Sequence, residues 1–372
     1  MIWLTLLIFL AILAILILVH ELGHFLTARW LGVKVEEFGI GFPPRLIKLF
    51  QRKGTIYSLN WIPLGGFVKI KGEQGDHLGE SDSFANKKIW QRALIIVSGV
   101  AMNVVLTAIL LSIGFNIGAP QILEDSLGPK ARVANQQIQI FSVLPNTPAE
   151  KGGLELGDVV VYLDGQSFDR IAPLQDYINS RNGVKIEIII RRGNELAQKT
   201  IAPIGLTEGE PAILGVELVQ TGLVSYPWYQ AVWIGVKTTG YLAKEIVIAF
   251  YSLIKNLIVH QEVAVELAGP VGIAIMTGEM AKMGFIYLLQ FLALLSLNLA
   301  IINFLPFPAL DGGRFLFLII EKFRGRAANQ KLETLIHNIG FTLLIFLVLV
   351  VTYRDVMKWG DRILQALKNL VV

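Results

Sequence analysis

The chain has 372 residues, of which 53% are hydrophobic and 17% charged, with a formal net charge of +4. Two ordinary water-soluble domains would fit the length but not so apolar a composition, and so small a charge gives no reason to invoke a nucleic-acid partner. With no cysteine, disulfides and thiolate metal ligands are excluded, and any zinc site must be built from histidine and carboxylate.

The chain opens on an apolar run, Met1 to Val19, without a charged residue, and that run ends in His20-Glu21-Leu22-Gly23-His24. On a helix, positions i and i+4 share a face, so both imidazoles can reach one Zn²⁺ while Glu21 points toward its water. Histidine and glutamate are costly in an apolar helix without a task. A basic n-region and a small-residue cleavage site are both missing, so the run is expected to be a retained span and not a signal peptide. Residues 1–32 are read as the first membrane span with this motif.

Residues 33–89 are basic and contain Gly39-Ile40-Gly41-Phe42-Pro43-Pro44, then Thr55 to Lys71, a pattern that predicts short strands and turns in a membrane-associated hairpin. Such a hairpin offers an edge to an extended peptide. Residues 90–119 read as a second span, centred on Ala93 to Ala119. Residues 120–218 are soluble in character, with an alternating strand at 184–190 and a short helix from Leu174 to Arg181. From 219 to 282 the chain is apolar but interrupted by Lys237, Lys244, Glu245 and Lys255, which predicts one or two amphipathic helices on the membrane surface. Residues 283–313 form a third span, 314–334 a short basic loop, and 335–372 a fourth span, Leu335 to Tyr353, with a tail.

A catalytic zinc takes three protein ligands, so a third must come from elsewhere. Asp311 is the candidate, because it closes the charge-free run from Met283 to Leu310, where a lone carboxylate needs a partner. Orientation follows from basic residues. Lys34 to Lys88 and Arg314 to Lys331 carry the positive charge, which places both loops inside and the central soluble region outside. Spans one and three then run the same way, with His24 and Asp311 at similar depth. His20 lies roughly 13 Å along its helix from Arg29, which sets the zinc within the bilayer near the cytoplasmic face.

These motifs resemble the site-2 proteases of the bacterial regulator-of-sigma-E type. The resemblance rests on His20-Glu21-Leu22-Gly23-His24 and on Asn303 to Asp311, which matches N-x-x-P-x-P-x-L-D-G. It extends to Gly65-Gly66-Phe67-Val68-Lys69 and Ala268-Gly269-Pro270-Val271-Gly272-Ile273, and to PDZ-like segments at 146–150, 153–160 and 184–193. In the second span the family pattern G-P-x-x-N becomes Gly99-Val100-Ala101-Met102-Asn103, keeping the spacing without the proline.

The resemblance implies a polytopic α-helical membrane protein with about four transmembrane helices, a cytoplasmic-side β-hairpin region and one extracytoplasmic PDZ (α+β) domain. It implies a zinc-dependent intramembrane endopeptidase, with His20, His24 and Asp311 as ligands, Glu21 as base and Zn²⁺ as cofactor. Asn303 would steady the substrate backbone or oxyanion, Gly99 and Asn103 would bring the second span to the site, and Gly66, Phe67 and Val68 would hold substrate. The implied partners are transmembrane substrates (an anti-sigma factor or remnant signal peptides), a peptide or protein ligand of the PDZ domain, and the bilayer of a bacterial inner membrane. A metal transporter would not need the glutamate of the motif, and an inert PDZ scaffold would leave the buried polar groups without a purpose.

Overall fold

The computed structural model describes residues 2–123, 130–193, 195–205, 212–259, 268–326 and 330–371. In chain order the first elements are α1 (Ile2–Trp30), β1 (Val35–Arg52), β2 (Thr55–Ile70) and α2 (Ile89–Ile117). There follow β3 (Ala119–Ile122), β4 (Arg132–Val143), α3 (Pro148–Lys151), β5 (Val159–Leu163), α4 (Ile171–Asn179), β6 (Ile186–Arg192), β7 (Glu195–Ile201) and β8 (Val216–Ser225). The last are α5 (Trp228–Val259), α6 (Pro270–Met283), α7 (Phe285–Phe304), α8 (Asp311–Arg324) and α9 (Gln330–Val371). They group into two compact units, residues 1–112 with 232–372, and residues 113–231.

Four described helices are long and apolar enough to cross a membrane: α1, α2, α7 and the Gln330–Gly360 part of α9. Their helical hydrogen bonds satisfy the backbone within each segment, as a hydrocarbon medium demands, and their side chains are mostly apolar. The surface helix expected after residue 219 is one continuous helix, α5, of 32 residues, and its Gly235 lies against Ser112 and the Ala108 carbonyl of α2. Within the 283–313 stretch, the third span ends near Phe304, as the apolar run predicts. α7 stops at Phe304, and Asp311 opens a separate amphipathic helix, α8, where a basic loop was expected. Pro306 and Pro308 are the reason: neither has an N–H to continue α7, so the chain turns before it can restart.

The expected short strands are long ones. β1 and β2 have 18 and 16 residues and fold over, so that Glu37 to Ile40 is flanked by Gly66 to Lys69 on one side and by Ile56 to Leu59 on the other. Among the described residues, Gly66 to Ile70 therefore pairs with a strand on one side only. Gly65, at φ +83°, passes so close to α1 that any Cβ would overlap Ile17. Beneath this contact, Phe25 and Ala28 of α1, Val35 and Ile70 of the hairpin, Ile95 of α2 and Leu318 of α8 form one buried cluster. At the far end the hairpin exposes Ile47, Leu49, Phe50 and Trp61.

The 113–231 unit is a six-stranded sheet in the order β3-β8-β4-β5-β6-β7. The alternation in β6 buries Ile186, Ile188 and Ile190 against Leu174 and Ile178 of α4. Its strand and helix lie where the sequence placed them, with α4 beginning three residues before Leu174. The Asp164 carboxylate accepts from the Glu187 N–H at 2.7 Å and the Tyr177 hydroxyl at 2.8 Å, which holds its pKa below the ordinary value.

α6 begins at Gly269, which has no side chain to cap it, and the cap comes from α9. Asp355, buried, accepts from the Gly272 N–H at 2.7 Å and the Gly269 N–H at 3.2 Å. Asp355→Ala should therefore orphan two buried donors and destabilise the fold by about 1–3 kcal/mol. A lowered unfolding midpoint in detergent is the expected result, recovered only in part by Asp355→Asn, whose single side-chain oxygen can accept from one of the two N–H groups.

Candidate metal centre

His20 and His24 lie one turn apart on α1 and are both buried, with their rings edge to face at a centroid distance of 4.8 Å. The two glycines nearest them let α2 come close. A Cβ on Gly23 would overlap the Ser98 carbonyl, and one on Gly99 would overlap the His24 ring and lie 2.8 Å from His20 Cε1. α2 also orients the second imidazole. His24 Nδ1 is 2.8 Å from the Ile95 carbonyl, which accepts only if Nδ1 carries the proton, so the Nε2 lone pair is free to bind a metal.

Asp311 arrives from the other side of the sequence. The turn from Leu305 to Leu310 doubles back so tightly that a Cβ on Gly312 would overlap the Phe304 and Leu305 carbonyls, and one on Gly313 the Phe307 carbonyl. This is the physical content of the Leu310-Asp311-Gly312-Gly313 sequence. Asp311 then occupies the first turn of α8, where the helix dipole favours a carboxylate.

The three side chains meet. Asp311 Oδ2 lies 3.0 Å from His20 Nε2 and 3.3 Å from His24 Nε2, and the two Nε2 atoms are 3.2 Å apart. Four ligands arranged tetrahedrally at zinc distances of about 2.0–2.1 Å would stand about 3.3–3.4 Å from one another, so this triangle fits such an ion. The polar bookkeeping agrees, since Asp311 Oδ2 is buried without a hydrogen-bond partner among the described residues. Two neutral imidazoles and one carboxylate form a donor set suited to Zn²⁺. These are the residues that could hold a metal.

Glu21, half-buried beside His20, faces the main-chain N–H of Val68 in β2. Gly66, buried, sits against Leu18 of α1 and the Gly39 carbonyl, so Gly66, Phe67 and Val68 run along α1 within a turn of the motif. Asn103 is fully buried about one and a half turns of α2 nearer its C-terminus than Ser98, and its side-chain amide has no described partner. Its carbonyl accepts from Ser296 of α7 at 2.9 Å, which ties α2 to α7. Asn303 lies half-buried in the last turn of α7, ahead of the turn that delivers Asp311.

Sequence reading missed three contributors. The Ile95 carbonyl is backbone and carries no residue signature. Arg314, counted above among the basic loop residues, pairs with Glu73 after β2, and Arg92 pairs with Glu321, so two ion pairs fasten α8 to its neighbours.

A model of peptidase family M50 matches residues 8–347. A Clostridium perfringens protein provisionally named a zinc metalloprotease is 34% identical over 343 residues, covering 92% of this chain and 95% of its own. A Brucella suis protein named in the same way is 29% identical over 375 residues, covering 94% of each. The zinc metalloprotease RasP of Geobacillus kaustophilus is 28% identical over 436 residues, covering 94% of this chain and 97% of its own. Among solved structures, the PDZ domain of an SdrC-like protein from Listeria monocytogenes is 25% identical and covers 23% of this chain and 92% of its own, with a TM-score of 0.22.

Gly99→Val should push the imidazoles off the donor triangle. Zinc affinity, measured by competition with a chelator, is expected to fall about tenfold or more, the scale of outer-shell changes. Gly99→Val with unchanged affinity would show that α2 can yield at this contact.

Proposed function

We propose, since this chain belongs to peptidase family M50, that it is a zinc-dependent intramembrane endopeptidase with His20, His24 and Asp311 as the metal ligands. The observation that carries this reading is the donor triangle of 3.0, 3.2 and 3.3 Å, assembled from two helices on apolar segments far apart in sequence. When bound, zinc supplies Lewis acidity, lowering the pKa of water and polarising the scissile carbonyl. Glu21 takes the proton from the attacking water and delivers it to the leaving amine. The Ile95 carbonyl fixes the His24 tautomer throughout.

The unpaired edge at Gly66, Phe67 and Val68, next to the motif, is where an extended substrate adds as a further strand. Asn303 serves as a donor to the substrate backbone or oxyanion. Asn103 and Gly99 bring α2 to the site. The exposed apolar end of the hairpin suits burial in the membrane surface, and the aromatic, partly charged α5 suits an interfacial position. The basic residues at 34–88 and 314–331 support a cytoplasmic-side position for the hairpin and α8, in what the reading takes to be a bacterial inner membrane. The 113–231 unit then lies outside, where its PDZ-like sheet and helix bind a peptide or protein ligand.

Substrates are transmembrane segments, an anti-sigma factor or remnant signal peptides being the candidates. Transport would leave Glu21 idle, and an inert scaffold would leave the whole triangle unused.

Two substitutions separate the roles. Glu21→Gln should retain zinc while cleavage of a model transmembrane substrate in detergent falls by about 10²–10⁴-fold, the usual worth of a general base. Asp311→Ala should lose both zinc and activity. Near-normal turnover in Glu21→Gln, or full zinc in Asp311→Ala, would overturn the corresponding assignment.

A further inference from the structure

The turn that carries Asp311 has a tether on α9. Of the residues from Leu305 to Leu310, two are proline and have no N–H. Leu305 donates to Ile302, Phe307 to Leu305 and Leu310 to Phe307, all within the turn or the end of α7. The remaining N–H, that of Ala309, donates instead to Nδ1 of His337 on α9, at 2.9 Å.

Ala309 is also the strained residue of the turn. Its φ is +78°, in the left-handed region that a residue with a Cβ rarely adopts and that persists only where surrounding contacts impose it. Two neighbours of His337 supply such contacts. Gly340, one turn further along α9, sits so close to Pro308 that a Cβ there would overlap the Pro308 carbonyl and ring. The His337 ring rests against Phe317 of α8, with centroids 5.5 Å apart. α9 thus touches the turn at Pro308 and Ala309 and touches α8 one helical turn or more beyond Asp311.

From this geometry we infer that His337 is a positioning residue for Asp311: by accepting the Ala309 N–H it holds the left-handed turn, and so keeps the Asp311 carboxylate in the donor triangle. To accept from an N–H, Nδ1 must present its lone pair, which assigns the ring proton to Nε2. The role differs from that of the Ile95 carbonyl. Ile95 orients a ligand directly, whereas His337 acts through two backbone bonds on the residue that leads into the ligand. The inference rests on the reading of Asp311 as a ligand.

The test compares His337→Leu, which keeps apolar volume without an acceptor, with His337→Asn, whose Oδ1 occupies nearly the place of Nδ1. For each full-length variant in detergent, zinc affinity is measured by chelator competition, the unfolding midpoint is measured on zinc-free protein, and kcat and KM are measured with zinc. His337→Leu should lose about tenfold to a hundredfold in zinc affinity, the range seen for outer-shell partners, with kcat falling and KM holding. Its zinc-free midpoint should change little, and His337→Asn should restore most of the affinity. Wild-type zinc affinity in His337→Leu, or equal losses in Leu and Asn, would overturn the proposal, as would a loss confined to the zinc-free midpoint. Should His337→Leu fail to fold, His337→Phe replaces it, because it keeps a ring against Phe317 and has no acceptor, and a wild-type affinity there overturns the proposal equally. Asp311→Ala, run alongside, keeps the two readings apart. Full zinc in that variant refutes the ligand assignment, whereas zinc lost there but retained in His337→Leu refutes the tether alone.

Discussion

A carboxylate and two imidazoles, withdrawn from water between the apolar α1 and the first turn of α8 and set 3.0 to 3.3 Å apart, are the constraint around which the first unit is organised. None of the three is tolerable there singly, since an unpaired ionisable group in hydrocarbon carries a cost of several kcal/mol. Their approach requires backbone to replace side chain at the points of contact. Gly23 and Gly99 let α2 touch α1, and Gly312 and Gly313 let α8 fold back on the end of α7. The Arg92–Glu321 and Arg314–Glu73 pairs then fix α8 against α2 and the hairpin. α8 is short and could otherwise rock about the turn that precedes it, so these pairs bear on the depth at which Asp311 is presented.

The candidate ligands and the candidate base were legible in the sequence because each is an anomaly in its setting. His20, Glu21 and His24 interrupt an apolar run at helical spacing, and Asp311 ends one of 28 uncharged residues, from Met283 to Leu310. The four spans were legible for a related reason, since a hydrocarbon solvent admits few alternatives to long apolar helices. What escaped was everything specified by backbone. The Ile95 carbonyl could belong to any residue, the left-handed φ of Ala309 has no glycine to announce it, and α8 hid within a basic stretch whose charges suggested a loop. His337 was visible as a residue but not as a partner, because its contact lies 28 positions away and is made to a main-chain N–H. The hairpin was found but its length was underestimated, since Gly39, Gly41, Pro43 and Pro44 read locally as turn residues when they lie within a long strand.

The two units divide the physical labour differently. The 113–231 unit has an ordinary core, with alternating isoleucines of β6 packed on α4, and its polar groups are satisfied in water-facing turns such as that of Asp164. The helical unit spends its polar groups inward. Ser296 and Thr107 bond carbonyls across α2 and α7, Asp355 caps α6 from α9, and His337 meets Ala309. Interhelical hydrogen bonds replace the apolar burial that has little driving force between helices in lipid.

This inward use of polar groups bears on how a membrane segment can be cut at all. A substrate helix hides each carbonyl in its own i to i−4 bond, and a nucleophile cannot reach a carbonyl that remains so engaged. Unwinding the helix in a bilayer exposes N–H and C=O groups at several kcal/mol each unless new partners are at hand. Gly66 to Ile70 is bonded on one side only and lies along α1 beside Glu21, so its open edge can take up the groups that unwinding frees. A strand added there would be extended, with every second carbonyl facing away from the hairpin, which is the conformation a metal and a general base require of the bond between them. On the reading proposed above, the hairpin edge answers this cost for the substrate's backbone as the clustering of His20, His24 and Asp311 does for the protein's own side chains.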